Sequence, residues 1–160
     1  MAGSDTVPAQ PVSIGRRATP AYSANTAFLM MWNNKVLDDV TDAAKEVFSD
    51  FGVIAQRADD IEHDGAITPQ ILAEIERSEF LFADLTGARP NVYYEIGFAH
   101  ALGKRGILCR KSGTEVHFDL AGHNCPEYDN LKDLKAMLRK RFESITGRSA
   151  LRNPVCPSNA

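Results

Sequence analysis

The chain has 160 residues, of which 44% are hydrophobic and 24% charged, with a formal net charge of −3. This length predicts a single soluble domain that is large enough to bury a core. The slightly acidic balance excludes a general electrostatic affinity for nucleic acid, and no stretch approaches the ~20 apolar residues that a membrane span requires.

The two ends of the chain differ in composition from its middle. Residues 1–21 are rich in Pro, Ser, Ala and Thr and predict a flexible N-terminal arm, and residues 147–160 predict a loose C-terminal tail. The predicted domain therefore spans 22–146. The three cysteines show no paired spacing, which predicts reduced thiols and neither a disulfide framework nor a zinc site. Since the start of the chain lacks an apolar signal-peptide core, we expect a cytoplasmic protein.

Apolar periodicity predicts strands that alternate with helices through the middle of the chain. The predicted strands are short apolar runs at 27–32, 53–58, 80–85 and 106–109, with a shorter one at 127–128. The predicted helices repeat apolar residues at helical spacing over 36–51, 69–78, 92–102 and 131–145. This order predicts an α/β protein in which helices cover both faces of a parallel sheet.

Several helix boundaries are marked by residues with capping preferences. Thr68 is predicted to cap the second helix, with Pro69 at its first position. Gly52 and Gly103 are predicted to end the first and third helices. Four apolar residues are predicted to form the inner face of the last helix: Leu134, Leu138, Phe142 and Ile145.

Two carboxylates interrupt the apolar centre of the sequence. Asp84 is placed near the carboxyl end of the third strand, and Glu95 about one turn into the helix that follows. Since ligands of open α/β sheets bind where strands end and helices begin, these side chains are predicted to share one cleft. There one would act as nucleophile or charge stabiliser and the other would handle a proton or hydroxyl. The alternative is that Glu95 only interacts with the helix dipole, which would favour its ionised form.

The residues around these carboxylates form a recognisable pattern. It consists of Ala-Asp-Leu-Thr-Gly from Ala83 and Asn-Val-Tyr-Tyr-Glu-Ile-Gly-Phe-Ala-His-Ala-Leu-Gly-Lys from Asn91. With the segments 57–61 and 118–120, it resembles the N-(deoxy)ribosyltransferase-like superfamily over about residues 26–145. That grouping includes nucleoside 2-deoxyribosyltransferases, nucleotide N-glycosidases and bacterial nucleotide-binding proteins related to Toll/interleukin-1 receptor (TIR) domains.

The resemblance implies a flavodoxin-like or TIR-like three-layer sandwich with a four- to five-stranded parallel sheet. It also implies a hydrolase that cleaves the N-glycosidic bond of a nucleotide or dinucleotide, NAD foremost, with Glu95 as catalytic carboxylate and Asp84 as helper. Glycosyltransferase members usually carry Ser-x-Gly just before this Glu, where this sequence has Arg-Pro-Asn-Val over 89–92. The departure favours hydrolysis over transfer. The alternatives are a nucleoside 2-deoxyribosyltransferase and a non-catalytic nucleotide-binding or signalling module.

The same resemblance implies the surroundings of the reaction. It implies no metal and no separate cofactor, since NAD or a nucleotide is the substrate. The expected partner is a small-molecule nucleotide or nucleoside, and neither nucleic acid nor membrane is expected. Resemblance to the TIR-related proteins further implies a homo-oligomer and a role in bacterial defence.

Seven other residues are predicted to bind the substrate. After the second strand, Arg57 is suited to a phosphate and Asp60 to a ribose hydroxyl, or the two pair at the surface. Trp32 at the end of the first strand either stacks on a base or packs internally.

The remaining candidates lie around the central loop. Thr86 and Gly87 offer backbone N–H groups to a phosphate. Asn91 either caps the third helix or binds the ligand. Tyr94 either lines the pocket or packs beneath it.

Overall fold

In a computed structural model of the chain, the structure describes residues 22–60, 67–117, 120 and 122–151. Within these ranges five strands and four α-helices follow one another: β1 (Ser23–Met31), α1 (Asp38–Asp50), β2 (Ile54–Arg57), α2 (Pro69–Arg77), β3 (Ser78–Asp84), α3 (Pro90–Ala101), β4 (Ile107–Lys111), β5 (Glu127–Tyr128) and α4 (Leu131–Thr146). The predicted order of elements is confirmed. The predicted N-terminal arm and residues 118 and 119 lie outside the described residues.

The strands form one parallel sheet in the order β2-β1-β3-β4-β5. This is the strand order of flavodoxin-like sheets, which confirms the predicted fold class. The chain first adds β2 on one side of β1 and then returns to add β3 on the other. The switch point therefore lies between β1 and β3, and the crevice at their carboxyl ends is the expected place for a ligand.

Each face of the sheet is covered by one pair of helices. In β1 the side chains alternate, so that Leu29 and Met31 pack under α1 and α4 whereas Phe28 and Met30 pack under α2 and α3. We call these the α1/α4 face and the α2/α3 face. Both carry a buried apolar cluster, which explains why β1 is an almost continuous apolar run and not an alternating one.

The helix boundaries follow the predicted capping residues. The Thr68 side chain accepts a hydrogen bond from the backbone N–H of Ile71, and Pro69 is the first residue of α2. Gly52 follows α1 with φ of +72°. The chain runs from α2 into β3 with no intervening residue, and there the Lys104 ammonium group donates to the backbone carbonyls of the junction: Ile75, Glu76 and Ser78. This internal cap was not predicted.

Two details of the C-terminal region differ from the prediction. Leu134, Leu138 and Phe142 are buried as predicted, but Ile145 is 51% exposed because it borders a cavity and not the sheet. The first residues of the predicted tail are packed and not loose. Arg148 forms an ion pair with Glu79, and the backbone N–H of Leu151 donates to the Asp50 carbonyl.

The described part of the chain contains neither a membrane-spanning helix nor a clustered set of metal ligands. None of its helices is long and apolar enough to cross a membrane. Its His, Cys, Asp and Glu side chains form no group of three or more placed to hold a metal ion.

Candidate functional site

Helix α3 begins beside the crevice between β1 and β3. Arg89 precedes its first turn, and Pro90 occupies the first turn, where its fixed φ suits the helix and its missing N–H needs no cap. Asn91 therefore lies inside the helix and does not cap it, which corrects one of its two predicted roles. Its predicted contact with a ligand stays a prediction.

Glu95 is buried on the inner side of α3. Only 3% of the residue is exposed, and its helix neighbours Val92 and Ile96 pack into the α2/α3 face. Within the described residues, no hydrogen bond or ion pair reaches the Glu95 carboxyl group. In the described part of the chain, every side-chain N or O atom that is fully enclosed has a hydrogen-bond partner. The Glu95 carboxyl oxygens have none among those residues, so they must keep some access to solvent. Glu95 therefore faces a narrow opening and not a sealed core.

Burial raises the pKa of Glu95 to about 7, from an ordinary value of 4.5. The helix N-terminus is expected to favour the ionised form, but Glu95 is the sixth residue of α3 and lies beyond the first turn, where that effect is concentrated, and burial acts in the opposite direction. A helix dipole contributes about 0.3–1 kcal/mol, which is less than one pKa unit. Near neutral pH the group populates both protonation states, as carboxyl groups that handle charge or protons often do.

Asp84, the last residue of β3, is fully buried and anchors an internal hydrogen-bond network. One carboxyl oxygen accepts from the Tyr128 hydroxyl at 2.6 Å. The other accepts from the Thr86 backbone N–H at 2.8 Å and from its hydroxyl at 2.5 Å. The Thr86 hydroxyl in turn accepts from the backbone N–H of Lys111 at 2.9 Å. The network therefore connects the ends of β3, β4 and β5. Burial raises the pKa of Asp84, and these hydrogen bonds oppose the rise.

The structure does not bring the two central carboxyl groups together as a pair. Asp84 is in register with Met31 and Cys109, both in the cluster of the α1/α4 face. Glu95 lies on α3, which covers the opposite face. Burial accounts for the raised pKa of Glu95 with no contribution from Asp84. The predicted catalytic role of Asp84 therefore receives no support from its position.

Arg57 and Asp60 line a separate cavity of 300 Å³ beside α1. Arg57 is buried, and its guanidinium group donates to the Thr41 hydroxyl at 2.9 Å and to Asp38 at 3.1 Å. Asp60 accepts from the backbone N–H of Arg57 at 2.8 Å and from Lys45 at 2.7 Å. Burial acts to raise the pKa of Asp60, but these contacts lower it overall. Both side chains are thus held by α1, and their contact with substrate stays a prediction.

Trp32 packs against the loop that leads into α3. Gly87 has φ of +84°, and a Cβ atom built on it would lie 2.5 Å from the Trp32 ring. The Arg89 guanidinium group lies 5.0 Å from the centroid of the same ring. This confirms internal packing for Trp32, and its stacking on a base stays a prediction. The close approach also explains why this loop needs glycine at 87.

The substitution Gly87→Ala is expected to disturb the loop before α3. It forces a side chain into left-handed backbone at a cost of roughly 1–2 kcal/mol and displaces the only tryptophan of the chain. Denaturant unfolding and intrinsic fluorescence measure the two effects. The matched control is Gly113→Ala, because Gly113 has φ of +87° but nothing within 4 Å. It should lower stability without moving the emission maximum, and an equal spectral change in both variants would contradict the contact with Trp32.

The two tyrosines before Glu95 have different environments. Tyr94 is 55% exposed and therefore does not pack beneath the pocket. Tyr93 is partly buried, and its hydroxyl accepts from the His117 backbone N–H at 3.1 Å. Tyr93 thus holds the segment after β4 against α3. The sequence did not reveal the contacts of Tyr93 and Tyr128, since their partners are distant in the chain.

Comparison with known proteins gave matches of structure only. No protein-family model matches the sequence, and no curated protein matches it. The CMP N-glycosidase BcmB of Clostridium botulinum is 17% identical, with a TM-score of 0.53, and the match covers 72% of this chain and 98% of that one. The 2-deoxyribosyltransferase of the psychrotolerant bacterium Bacillus psychrosaccharolyticus is 16% identical, with a TM-score of 0.52, covering 71% and 95%.

Both similarities extend over nearly the whole length of the other chain, and both proteins belong to the groups that the central sequence pattern resembles. At these identities the similarity concerns the fold. The chain has the nucleoside 2-deoxyribosyltransferase-like fold, as the run around Asp84 and Glu95 predicts.

Proposed function

We propose that this protein hydrolyses the N-glycosidic bond of a nucleotide, with Glu95 as the carboxyl group that meets the sugar. The observation that carries the proposal is a carboxyl group that is almost entirely buried, lacks a partner among the described residues and has its pKa raised to about 7. Its oxygens keep some access to solvent, and an almost entirely buried carboxyl group that has no protein hydrogen-bond partner among those residues calls for an explanation. A carboxyl group reserved for a substrate provides one.

The reaction needs a negative charge beside the anomeric carbon of the sugar. As the C1′–N bond breaks, its electron pair moves onto the base and C1′ becomes cationic. Ionised Glu95 stabilises or captures this centre, and the low polarity around it strengthens the attraction. A water molecule then adds its oxygen to C1′, displacing Glu95 where that side chain has bonded to it. The proton released from water goes to the base where the base leaves as an anion, as from CMP, and to solvent where it leaves neutral, as nicotinamide does from NAD. The products are the free base and the free sugar, or sugar phosphate.

Two considerations select the substrates for testing. The structural similarity to a protein described as a CMP N-glycosidase supports a nucleoside monophosphate. The resemblance of the central motif to TIR-related proteins supports NAD. Both contain a ribosyl C1′ bonded to a ring nitrogen, so the same use of Glu95 serves both.

The similarity to a 2-deoxyribosyltransferase makes base exchange the second candidate. In that reaction a second base replaces water as the acceptor. The Arg-Pro-Asn-Val segment at 89–92 favours hydrolysis, because it replaces the Ser-x-Gly that glycosyltransferases of this group usually carry. A binding or signalling module would use the same opening without bond cleavage.

One assay separates these functions. The protein is incubated with CMP, other nucleoside monophosphates, deoxynucleosides and NAD, with and without a second free base, and released base is measured by chromatography. Release without added base supports hydrolysis, and product that requires the second base supports transfer. Heat stabilisation by a substrate that stays intact supports a binding module. Absence of both turnover and stabilisation would remove all three.

The pH dependence of hydrolysis is expected to report the ionisation of Glu95. Since the ionised form is the active one and its pKa in the free protein is about 7, kcat/KM should rise tenfold per pH unit below about 7 and level off above it. Initial rates between pH 5 and 9 test this. A rate that falls as the pH rises through 7 would instead show that protonated Glu95 is required.

A further inference from the structure

A larger cavity lies beside the C-terminal end of α3 and the N-terminal end of β4. Its volume is 970 Å³, and Glu95 is not among the residues that line it. The cavity is lined by the first residues of β4, which begins at Ile107, so it lies at the amino ends of the parallel strands. The crevice between β1 and β3 lies at their carboxyl ends, on the opposite side of the sheet. It is therefore separate from the site of the proposed reaction.

Cationic and imidazole side chains line this cavity without a compensating acid. Arg105 and Arg141 approach it from the loop before β4 and from α4, and His100 and His123 complete the lining. Among the described residues, no Asp or Glu side chain lines the cavity. In the same part of the chain, neither arginine takes part in an ion pair. Most other arginines of the fold do, as Arg110 does with Glu127.

The two histidines of the cavity stack on each other. Their ring centroids lie 4.7 Å apart, with 23° between the ring planes. Burial lowers the pKa of His100, and repulsion from His123 lowers it further. Two imidazoles at this distance repel each other when both are protonated, so an anion beside them would stabilise the charged pair.

The floor of the cavity is held rigidly. Lys104 contributes to the lining, but its ammonium group is committed to the backbone carbonyls of the α2–β3 junction. Glu76 is the acidic group that interacts with Lys104 and raises the pKa of that lysine, against the lowering by burial. The guanidinium groups of Arg105 and Arg141 and the two imidazoles are therefore the groups left for a ligand.

We propose that this cavity binds a small molecule that bears a phosphate group, with Arg105 and Arg141 as its main contacts. The planar guanidinium group matches phosphate oxygens in pairs, which makes arginine the preferred residue for this recognition. The volume and concave form suit a small ligand. A long polyanion such as nucleic acid is disfavoured by the net charge of −3.

Histidine NMR on the 160-residue chain tests the proposal directly, with inorganic phosphate and ribose 5-phosphate as probes. Either probe is expected to shift the imidazole resonances of His100 and His123 and to raise the pKa of His100, which burial lowers. The imidazole resonances of His117, which contacts Tyr93 outside the cavity, should stay unchanged. Tighter binding of ribose 5-phosphate would identify a sugar phosphate as the ligand class, and equal binding would identify free phosphate.

Paired variants test the two arginines. The double substitution Arg105→Gln with Arg141→Gln should weaken phosphate binding at least roughly tenfold, because it removes charge-assisted hydrogen bonds. The control is Lys140→Gln, since Lys140 adjoins Arg141 on α4, is exposed and does not line the cavity. Unchanged resonances of His100 and His123 with both probes, or equal weakening in the control, would overturn the proposal. Base release by the unaltered protein is independent of this outcome and tests the proposed function separately.

Discussion

Replacing Glu95 by glutamine is expected to abolish base release and to stabilise the fold at neutral and alkaline pH. Glutamine keeps the shape of the side chain but cannot become anionic, so it cannot stabilise a cationic sugar carbon. We expect a loss of at least roughly 10³-fold in kcat/KM. Initial rates on the best substrate of the panel measure it.

The stability effect has a defined sign and pH window. The folded pKa of Glu95 is about 7 and its ordinary value is 4.5, so the unfolded chain ionises first as the pH rises. The unaltered protein therefore loses stability between pH 4.5 and 7, and the deficit is complete above 7. A shift of about 2.5 units corresponds to about 3 kcal/mol. Glu95→Gln should recover much of this above pH 7 and none of it below pH 4.5, as measured by denaturant unfolding at both pH values.

The control for this variant is Glu115→Gln, since Glu115 is an exposed residue on the loop after β4. It should change neither rate nor stability. Full activity in Glu95→Gln would remove the proposed function. A variant that is inactive but no more stable at pH 8 than the unaltered protein would contradict the description of Glu95 as a buried group without a partner.

The second large effect is expected at Asp84, where two substitutions separate structure from catalysis. Asp84→Ala removes the acceptor for the Tyr128 hydroxyl and for both Thr86 donors. Unsatisfied buried donors cost about 1–3 kcal/mol each, so we expect a loss of roughly 3 kcal/mol from the network as a whole. Chemical unfolding at pH 7 measures this loss.

Asp84→Asn should be far milder, because its oxygen still accepts from Thr86 and its amide can donate to the Tyr128 oxygen. We expect it to cost no more than roughly 1 kcal/mol and to keep activity within roughly tenfold. If Asp84→Asn were stable but inactive, Asp84 would have the direct catalytic role that its place in the motif predicts. A stable Asp84→Ala variant would show that the network contributes little to the fold.

The sequence was sufficient for the order of elements and for the central motif. Hydrophobic periodicity and capping preferences depend only on neighbouring residues. Thr68, Pro69 and Gly52 therefore indicate helix ends even when the fold is unknown. The motif placed Asp84 at a strand end, as the structure has it. It placed Glu95 about one turn into a helix predicted from 92, whereas α3 begins at Pro90 and Glu95 lies in its second turn. It also predicted the fold, which the structural similarities confirm.

The tertiary structure decided the surroundings of the two carboxyl groups, because these come from residues far away in the chain. Tyr128 lies 44 residues after Asp84 and binds it on the α1/α4 face. Glu95 on the other face has no such partner among the described residues, and burial alone sets its pKa. Sequence spacing indicated two carboxyl groups at one edge of the sheet. Only the packing shows that Asp84 belongs to an internal network and that Glu95 has no such partner among the described residues.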